Sequence, residues 1–267
     1  MRHSFFALLA VFSLMVQSEN NDIKLATWHI AVGVGIGIAT NPLHGGDDIP
    51  LIVLPDLAYY DEHVFFDNGV LGYTFIQDKR FVLSAITELN PENRFFVFWH
   101  PANLFLNSYR SSDLKLENSV SIETLDKKRW ALDGGFEYQY FADDFVMRID
   151  WLHDITGVYN SARASIELET ELVLGEWLIS PLVGVQYRSQ QLNQYYYGID
   201  PSLELEQLYL ADDSFSPYAK VQLTWPFSHD KAVFVRASYD DYSQLSESPL
   251  FKEDHALSIF LGLKYIF

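Results

Sequence analysis

The chain has 267 residues, with 18 basic and 36 acidic side chains, a net charge of −18, no cysteine and 16% aromatic residues. That balance argues against a nucleic-acid partner, because a polyanion repels it. Without thiols, disulfides, thiolate nucleophiles and zinc–thiolate centres are excluded.

At the N-terminus, Arg2 and His3 precede the apolar run FFALLAVFSLMV, followed by a small residue at Ser18. The pattern predicts a secretory leader over residues 1–18, too short to cross a bilayer as a helix. Residues 19–267 then form a single exported domain, since no linker or low-complexity tract divides them. No later stretch is long and apolar enough for a membrane helix.

The first segment, WHIAVGVGIGIA, carries Gly33, Gly35 and Gly37 on one parity. Trp28, Ile30, Val32, Val34, Ile36 and Ile38 occupy the other. A dinucleotide fingerprint needs its third glycine one residue later, at a helix start. A period of two is a strand, with the small residues on one face. The alternation then recurs. Trp130, Leu132, Phe136, Tyr138 and Tyr140 oppose Asp133, Glu137 and Gln139. Phe145, Met147, Ile149 and Trp151 oppose Arg148 and Asp150, while Ile166, Leu168, Leu172 and Leu174 oppose Arg163, Glu167, Glu169 and Glu171. The last segment sets Leu257, Ile259, Leu261, Leu263, Tyr265 and the terminal Phe267 on one face.

In a soluble sandwich the apolar faces would point inward. Three features favour lipid outside instead. Aromatics gather at strand ends (Trp130, Tyr138, Tyr140, Trp151, Trp177, Tyr187, Trp225, Tyr239, Tyr265), as an interfacial girdle requires. Short turns alternate with long polar loops. A sheet in lipid must also close on itself to satisfy its backbone. The expected fold is therefore all-β, a transmembrane antiparallel barrel in the outer membrane, with short periplasmic turns and long extracellular loops.

Strands are expected near 25–39, 51–60, 63–76, 80–89, 94–100, 129–141, 144–154, 162–174, 177–188, 216–227, 231–240 and 256–267. That gives twelve, with ten as the alternative. The Asp67-Asn68-Gly69 triplet is itself a hairpin signal. If it turns the chain, 94–100 becomes loop and the count is still twelve. The opening glycines would face the lumen and make room for larger neighbours.

The stretch LNQYYYGID, Leu192 to Asp200, is unusual for barrel sequence. Together with GVGIGIATNPLHGGDD, LDKKRWALDGGF and SQLSESPLFKEDHALSIFLGLKYIF, it resembles the MipA/OmpV family of outer-membrane proteins. That family shows a Gly-rich first strand with an acidic loop, a Tyr-rich element after a strand, and a Ser-Pro turn before the last strand. Here these match residues 33–48, Asn193 to Ile199, and Glu247 to Pro249. The resemblance implies a scaffold that holds a lytic transglycosylase and a bifunctional penicillin-binding protein together in the cell envelope. It carries no catalytic residues, and no cofactor or metal is expected.

Site residues stay open between readings. Tyr195, Tyr196, Tyr197 and Gly198 suit a recognition patch, or an aromatic girdle with a loop folded back and Gly198 at positive φ. The acidic pairs Asp47-Asp48, Asp143-Asp144, Asp212-Asp213 and Asp240-Asp241 suit lipopolysaccharide-bridging cations or solvated loops. Lumen charges are expected from Arg148, Asp150, Arg163, Glu167, Glu169, Glu171, Lys220, Arg236 and Lys264. They would line a narrow small-solute pore, the alternative function, or close it by pairing. His153-Asp154, His229-Asp230 and Asp254-His255 are adjacent pairs. Neighbours on a strand point to opposite faces, which argues against catalytic dyads. Outer-membrane lipid and lipopolysaccharide are the expected surroundings.

Overall fold

The computed structural model describes residues 26–96, 120–125, 127–199 and 208–267. The expected leader, 1–18, lies outside them. The strands are β1 (Thr27–Ala39), β2 (Ile49–Tyr60), β3 (Val64–Asp67), β4 (Val70–Gln77), β5 (Phe81–Leu89), β6 (Leu132–Phe141) and β7 (Val146–Asp154). They continue with β8 (Ala162–Glu169), β9 (Leu172–Leu174), β10 (Trp177–Arg188), β11 (Ser214–Ser228), β12 (Lys231–Asp241) and β13 (His255–Ile266). Apart from β8 and β9, successive strands pair antiparallel, and β13 pairs with β1 from Ala31↔Ile266 to Ala39↔Ser258. β8 and β9 both pair with β10, so they are two legs of one wall strand broken at Thr170 and Glu171. The result is a closed barrel of twelve strands.

Alternation explains which way each face points. On β1 the branched side chains lie outside, with Ile36 74% exposed. Leu257, Ile259, Leu261 and Leu263 of β13 continue that apolar surface. Burying it in lipid is favourable, at about 25 cal/mol per Å². Inside, the glycines leave room for rings. A Cβ at Gly33 would lie 2.6 Å from Phe234, and one at Gly37 would lie 2.8 Å from Phe260. Gly35 sits tighter still, with its would-be Cβ 2.0 Å from the Leu261 carbonyl oxygen. There the β1–β2 register shifts, between Val34 and Gly37.

Aromatic pairs mark both rims of the apolar band. At the turn end Trp28 lies 5.3 Å from Tyr59, and Trp177 stacks on Trp225 at 6.1 Å. At the loop end Tyr187 meets Phe215 at 5.2 Å, and Tyr239 stacks on His255 at 5.6 Å.

Two expected strands are corrected. The segment 63–76 is broken by a hairpin turn at Asn68 (φ 47°) and Gly69 (φ 100°), both in the left-handed region. Asparagine and glycine tolerate that region, so the Asn-Gly pair closes a tight hairpin. Residues 94–96 are not strand: Pro91–Phe95 form a 3-10 turn, capped by the Asn90 side chain accepting from the Glu92 N–H at 3.0 Å. Residues 97–100 of that expected strand lie outside the described residues. Among the described residues the count remains twelve, because the hairpin at Asn68-Gly69 makes two strands of 63–76.

Gly35→Val tests the seam. It should abolish the heat-modifiable folded band after refolding, because its side chain meets backbone on β13, whereas the outward change Val34→Ala should leave the band intact. Equal recovery of both would show that the seam tolerates a side chain there.

Candidate functional site

The long connections meet at the extracellular end and bury a core of their own. Leu43, Phe95, Leu192, Tyr196, Tyr242 and Leu250 are among its members. The helix α1 (Gln190–Tyr197) follows β10 and turns its aromatic end inward. Its first turn is held by Asp213, which accepts from the Gln190 N–H at 2.6 Å. Tyr196 and Tyr197 are 0% exposed. Tyr196 rests against Tyr195 and Phe96, and Tyr197 against Phe251 and Tyr242. The Tyr-rich element is thus the middle of a cap over the barrel mouth. The loop is folded back, with Tyr196 and Tyr197 in its core rather than in a girdle, while Tyr195 stays part-exposed. Gly198 has φ −74°, not the expected positive value. Glycine is needed there for space, because a Cβ would lie 2.3 Å from the Gln194 side chain.

Under this core lies a buried ion pair. Arg188 Nε donates to Glu92 Oε1 at 2.7 Å, with the side chains only 3% and 2% exposed. The Tyr197 hydroxyl donates to Glu92 Oε2, and the Tyr242 hydroxyl reaches the same oxygen at 3.3 Å. The Arg188 guanidinium also covers the Tyr242 ring, 4.9 Å from its centre. Burial pushes the Glu92 carboxyl up, but Arg188 and the Tyr197 hydroxyl outweigh it and hold the carboxyl below the usual range. The same contacts push both tyrosine hydroxyls well up, burial first and the Glu92 charge second. Sequence reasoning missed Glu92 because its partner is 96 residues away. Tyr195 works at the edge of the cap. Its hydroxyl accepts from the Arg129 N–H at 2.7 Å, and its carbonyl accepts from Lys128 Nζ at 2.6 Å.

Below the cap, most of the expected lumen charges pair with one another. Arg148 donates to Glu167 at 2.7 Å and lies 3.5 Å from Glu137. The Tyr218 hydroxyl donates to Glu167 at 2.6 Å, and Lys220 stands 3.9 Å from it. Arg163 bridges Asp133, at 2.6 Å, and Glu88. Lys264 holds Asp56 at 2.6 Å, Arg236 donates to Gln222 Oε1 at 2.7 Å, and Asp150 accepts from the Ser165 hydroxyl. Glu169 is buried. Glu171 is exposed at the break before β9, so the structure takes it out of the enclosed lining. Glu88, Asp133 and Glu137 complete the network.

Most of the other candidate carboxylates serve their own loops. Asp154 accepts from the N–H groups of Tyr159 and Asn160, at 2.7 and 3.0 Å, and from the Thr156 N–H and hydroxyl. It builds the β7–β8 loop rather than facing His153. Asp48 accepts from the Asn41 N–H at 3.0 Å, Asp241 from Ser243, and Asp240 lies 3.8 Å from Arg94. Asp230 accepts from the Ser228 hydroxyl in the β11–β12 turn. At Asp254-His255 the two side chains do meet, with His255 Nδ1 2.7 Å from Asp254 Oδ1. Asp254 precedes β13, so strand alternation does not separate the two.

The profile of the MltA-interacting protein MipA family matches residues 32–267. The chain belongs to that family. The MltA-interacting protein of Escherichia coli (strain K12) is 23% identical over 97% of this chain and 98% of its own length. The putative outer membrane protein YiaT of the same strain is 18% identical over the same shares. Among solved structures, the COG4313 outer membrane channel of Pseudomonas putida F1 covers 94% of this chain and all of that one, at 10% identity and a TM-score of 0.43. Homologues are outer-membrane proteins and the fold is an outer-membrane barrel, so the chain is placed in the outer membrane.

Removing one side of a buried pair strands a charge and costs about 3–5 kcal/mol. Arg188→Met should therefore loosen the cap, measured as faster tryptic cleavage at Lys127, Lys128 and Arg129 in refolded protein. pH should act in one direction. Because the Glu92 carboxyl lies below its unfolded value, its stabilisation is complete above about pH 4.3 and is lost as pH falls through the lower folded value. Acid-induced loosening of the cap in wild type, read with an acid-active protease, should begin below the ordinary glutamate range. An onset near neutrality would show that another group controls the cap.

Proposed function

We propose that this MipA-family barrel is a non-enzymatic scaffold of the outer membrane. In this reading it docks a lytic transglycosylase and a bifunctional penicillin-binding protein at the murein layer. The observation that carries it is the buried aromatic core of the loops at the extracellular end, with the charges beneath it largely paired with one another. A barrel built that way works through its outer surfaces rather than as a conduit. The relative named MltA-interacting protein supports the partner class. A candidate contact lies at the periplasmic rim, where Leu172, Val173 and Leu174 stand exposed before the Gly175-Glu176 turn.

The test joins purified partners to the refolded barrel. Immobilised protein should retain a lytic transglycosylase at moderate salt, and Leu172→Ser with Val173→Ser should weaken retention while leaving the heat-modifiable band unchanged. In planar bilayers the same preparation should give a flat trace. Stepwise conductance without partner retention would replace the scaffold with the small-solute pore.

A further inference from the structure

The wall is not equally tall all the way round. β3 has four residues, and its rungs with β2 are limited to Ala58↔Asp67, Tyr59↔Phe66 and Tyr60↔Phe65. The hairpin tip reaches one residue further. The Asn68 N–H donates to the Leu57 carbonyl at 2.9 Å, and the Asn68 side-chain oxygen accepts from the Leu57 N–H at 3.0 Å. From Ile49 to Asp56, no strand among the described residues pairs with β2 on the side away from β1. Across the gap, the last rung of β4 with β5 is Leu71↔Thr87, and Glu88 and Leu89 pair with β6 alone. Among the described residues there is therefore a window between β2 and β5 above the β3–β4 tip.

Its height is set by register. Pro50 lies opposite Ile38 and Pro55 opposite Val32, so the unpaired stretch of β2 runs alongside the lipid-facing side chains of β1. The window is continuous with the apolar band. Its rim carries Ile52, Leu71 and Leu89, all exposed. Pro50 and Pro55 bring no N–H group, as suits an edge strand. The other N–H and C=O groups on this edge find no strand partner among the described residues, and hydrocarbon cannot supply one. The sill is polar. Asn68 Nδ2 donates to Asp56 Oδ1 at 3.2 Å, and Asp56 is held by Lys264. Leu51 and Leu54 lie opposite Gly37 and Gly33 on the lumen side. An apolar rim, an edge that needs hydrogen-bonding groups and a polar sill thus follow one another over a few residues.

We propose that this window is a lateral binding site for a lipid of the surrounding bilayer. The acyl chain lies against Ile52, Leu71 and Leu89, and the polar head meets the β2 edge and the lumen beside Asn68, Asp56 and Lys264. This goes beyond the scaffold reading and does not depend on it. The cap above closes the vertical route to the lumen, so the side is where membrane material reaches it.

Because the chain has no cysteine, a single reporter can be placed without background. Leu54→Cys puts a fluorescent label on the lumen side behind the window. Ile36→Cys puts one in lipid, and Ser216→Cys puts one inside β11 away from the window. Each protein is refolded into phosphatidylcholine vesicles with brominated acyl chains, and its fold is checked by the heat-dependent gel shift. The label at position 54 should lose fluorescence nearly as strongly as that at 36, while the label at 216 stays bright. Quenching at 54 no greater than at 216 overturns the proposal, because lipid then does not enter. If Leu54→Cys fails to fold, Leu51→Cys on the same inner stretch is read against the same two controls.

Discussion

Everything in this protein depends on the closure of one hydrogen-bonded ladder. A strand facing lipid has no water to satisfy its N–H and C=O groups, so each must find a partner in a neighbouring strand. The seam between β13 and β1 completes that circuit. It is made from the last residues of the chain and the Gly-rich first strand, which lets backbones and lumen rings approach where a side chain would intrude. Closure also sorts every residue. Once the register is set, parity alone sends Ile36 to lipid and Gly37 to the lumen.

A closed wall leaves a column of space inside, and the sequence fills it in two ways. At the level of β6 to β11, carboxylates and cations alternate across adjacent strands, so Glu167 is met by Arg148, Lys220 and the Tyr218 hydroxyl. At the mouth, aromatic rings and loops replace charges. Glu92 and Arg188 join the two regimes. One comes from the turn after β5 and the other from the end of β10, and the tyrosines that complete the cluster come from α1 and the loop after β12. Three connections, β5–β6, β10–β11 and β12–β13, are thereby tied to a single carboxylate. Such a pair contributes more to fixing one arrangement of the loops than to net stability, since desolvation offsets most of its Coulomb energy.

How much of this the sequence made legible follows from the range of each signal. The barrel strands were readable because lipid on one side and a polar lumen on the other impose a period of two on every wall segment. The strand assignments failed over 63–76, where two local signals competed, and over 94–96, which follow the turn that Asn90-Pro91 opens. The alternation through Val64 to Ile76 reads as one strand, yet Asn68-Gly69 turns it. Of the two readings of the Tyr-rich element, the loop folded back is what forms, without the girdle or the positive φ at Gly198. A tyrosine cluster fits a girdle and a loop core equally well until the partners are known, and those partners, Phe251 and Tyr242, arrive much later in the chain. The Glu92–Arg188 pair has no local signature at all. Asn90-Pro91 announces a turn, but nothing near it announces an arginine 96 residues on.

The net charge of −18 looks hostile to a compact interior, and the structure shows how it is accommodated. Acidic residues on the loops accept from nearby backbone N–H groups, as Asp154 and Asp241 do, so their charge organises turns. Most of those in the lumen meet a cation or a hydroxyl from another strand, as Asp133, Glu167 and Asp150 do. Asp56 does both kinds of work. It accepts from Asn68 at the hairpin tip and from Lys264 on β13, two strands away across β1. It therefore braces the shortest part of the wall from inside, where β3 stops and the ladder on β2 runs out of partners. A carboxylate at that position stabilises the tip that ends the ladder without closing the wall above it.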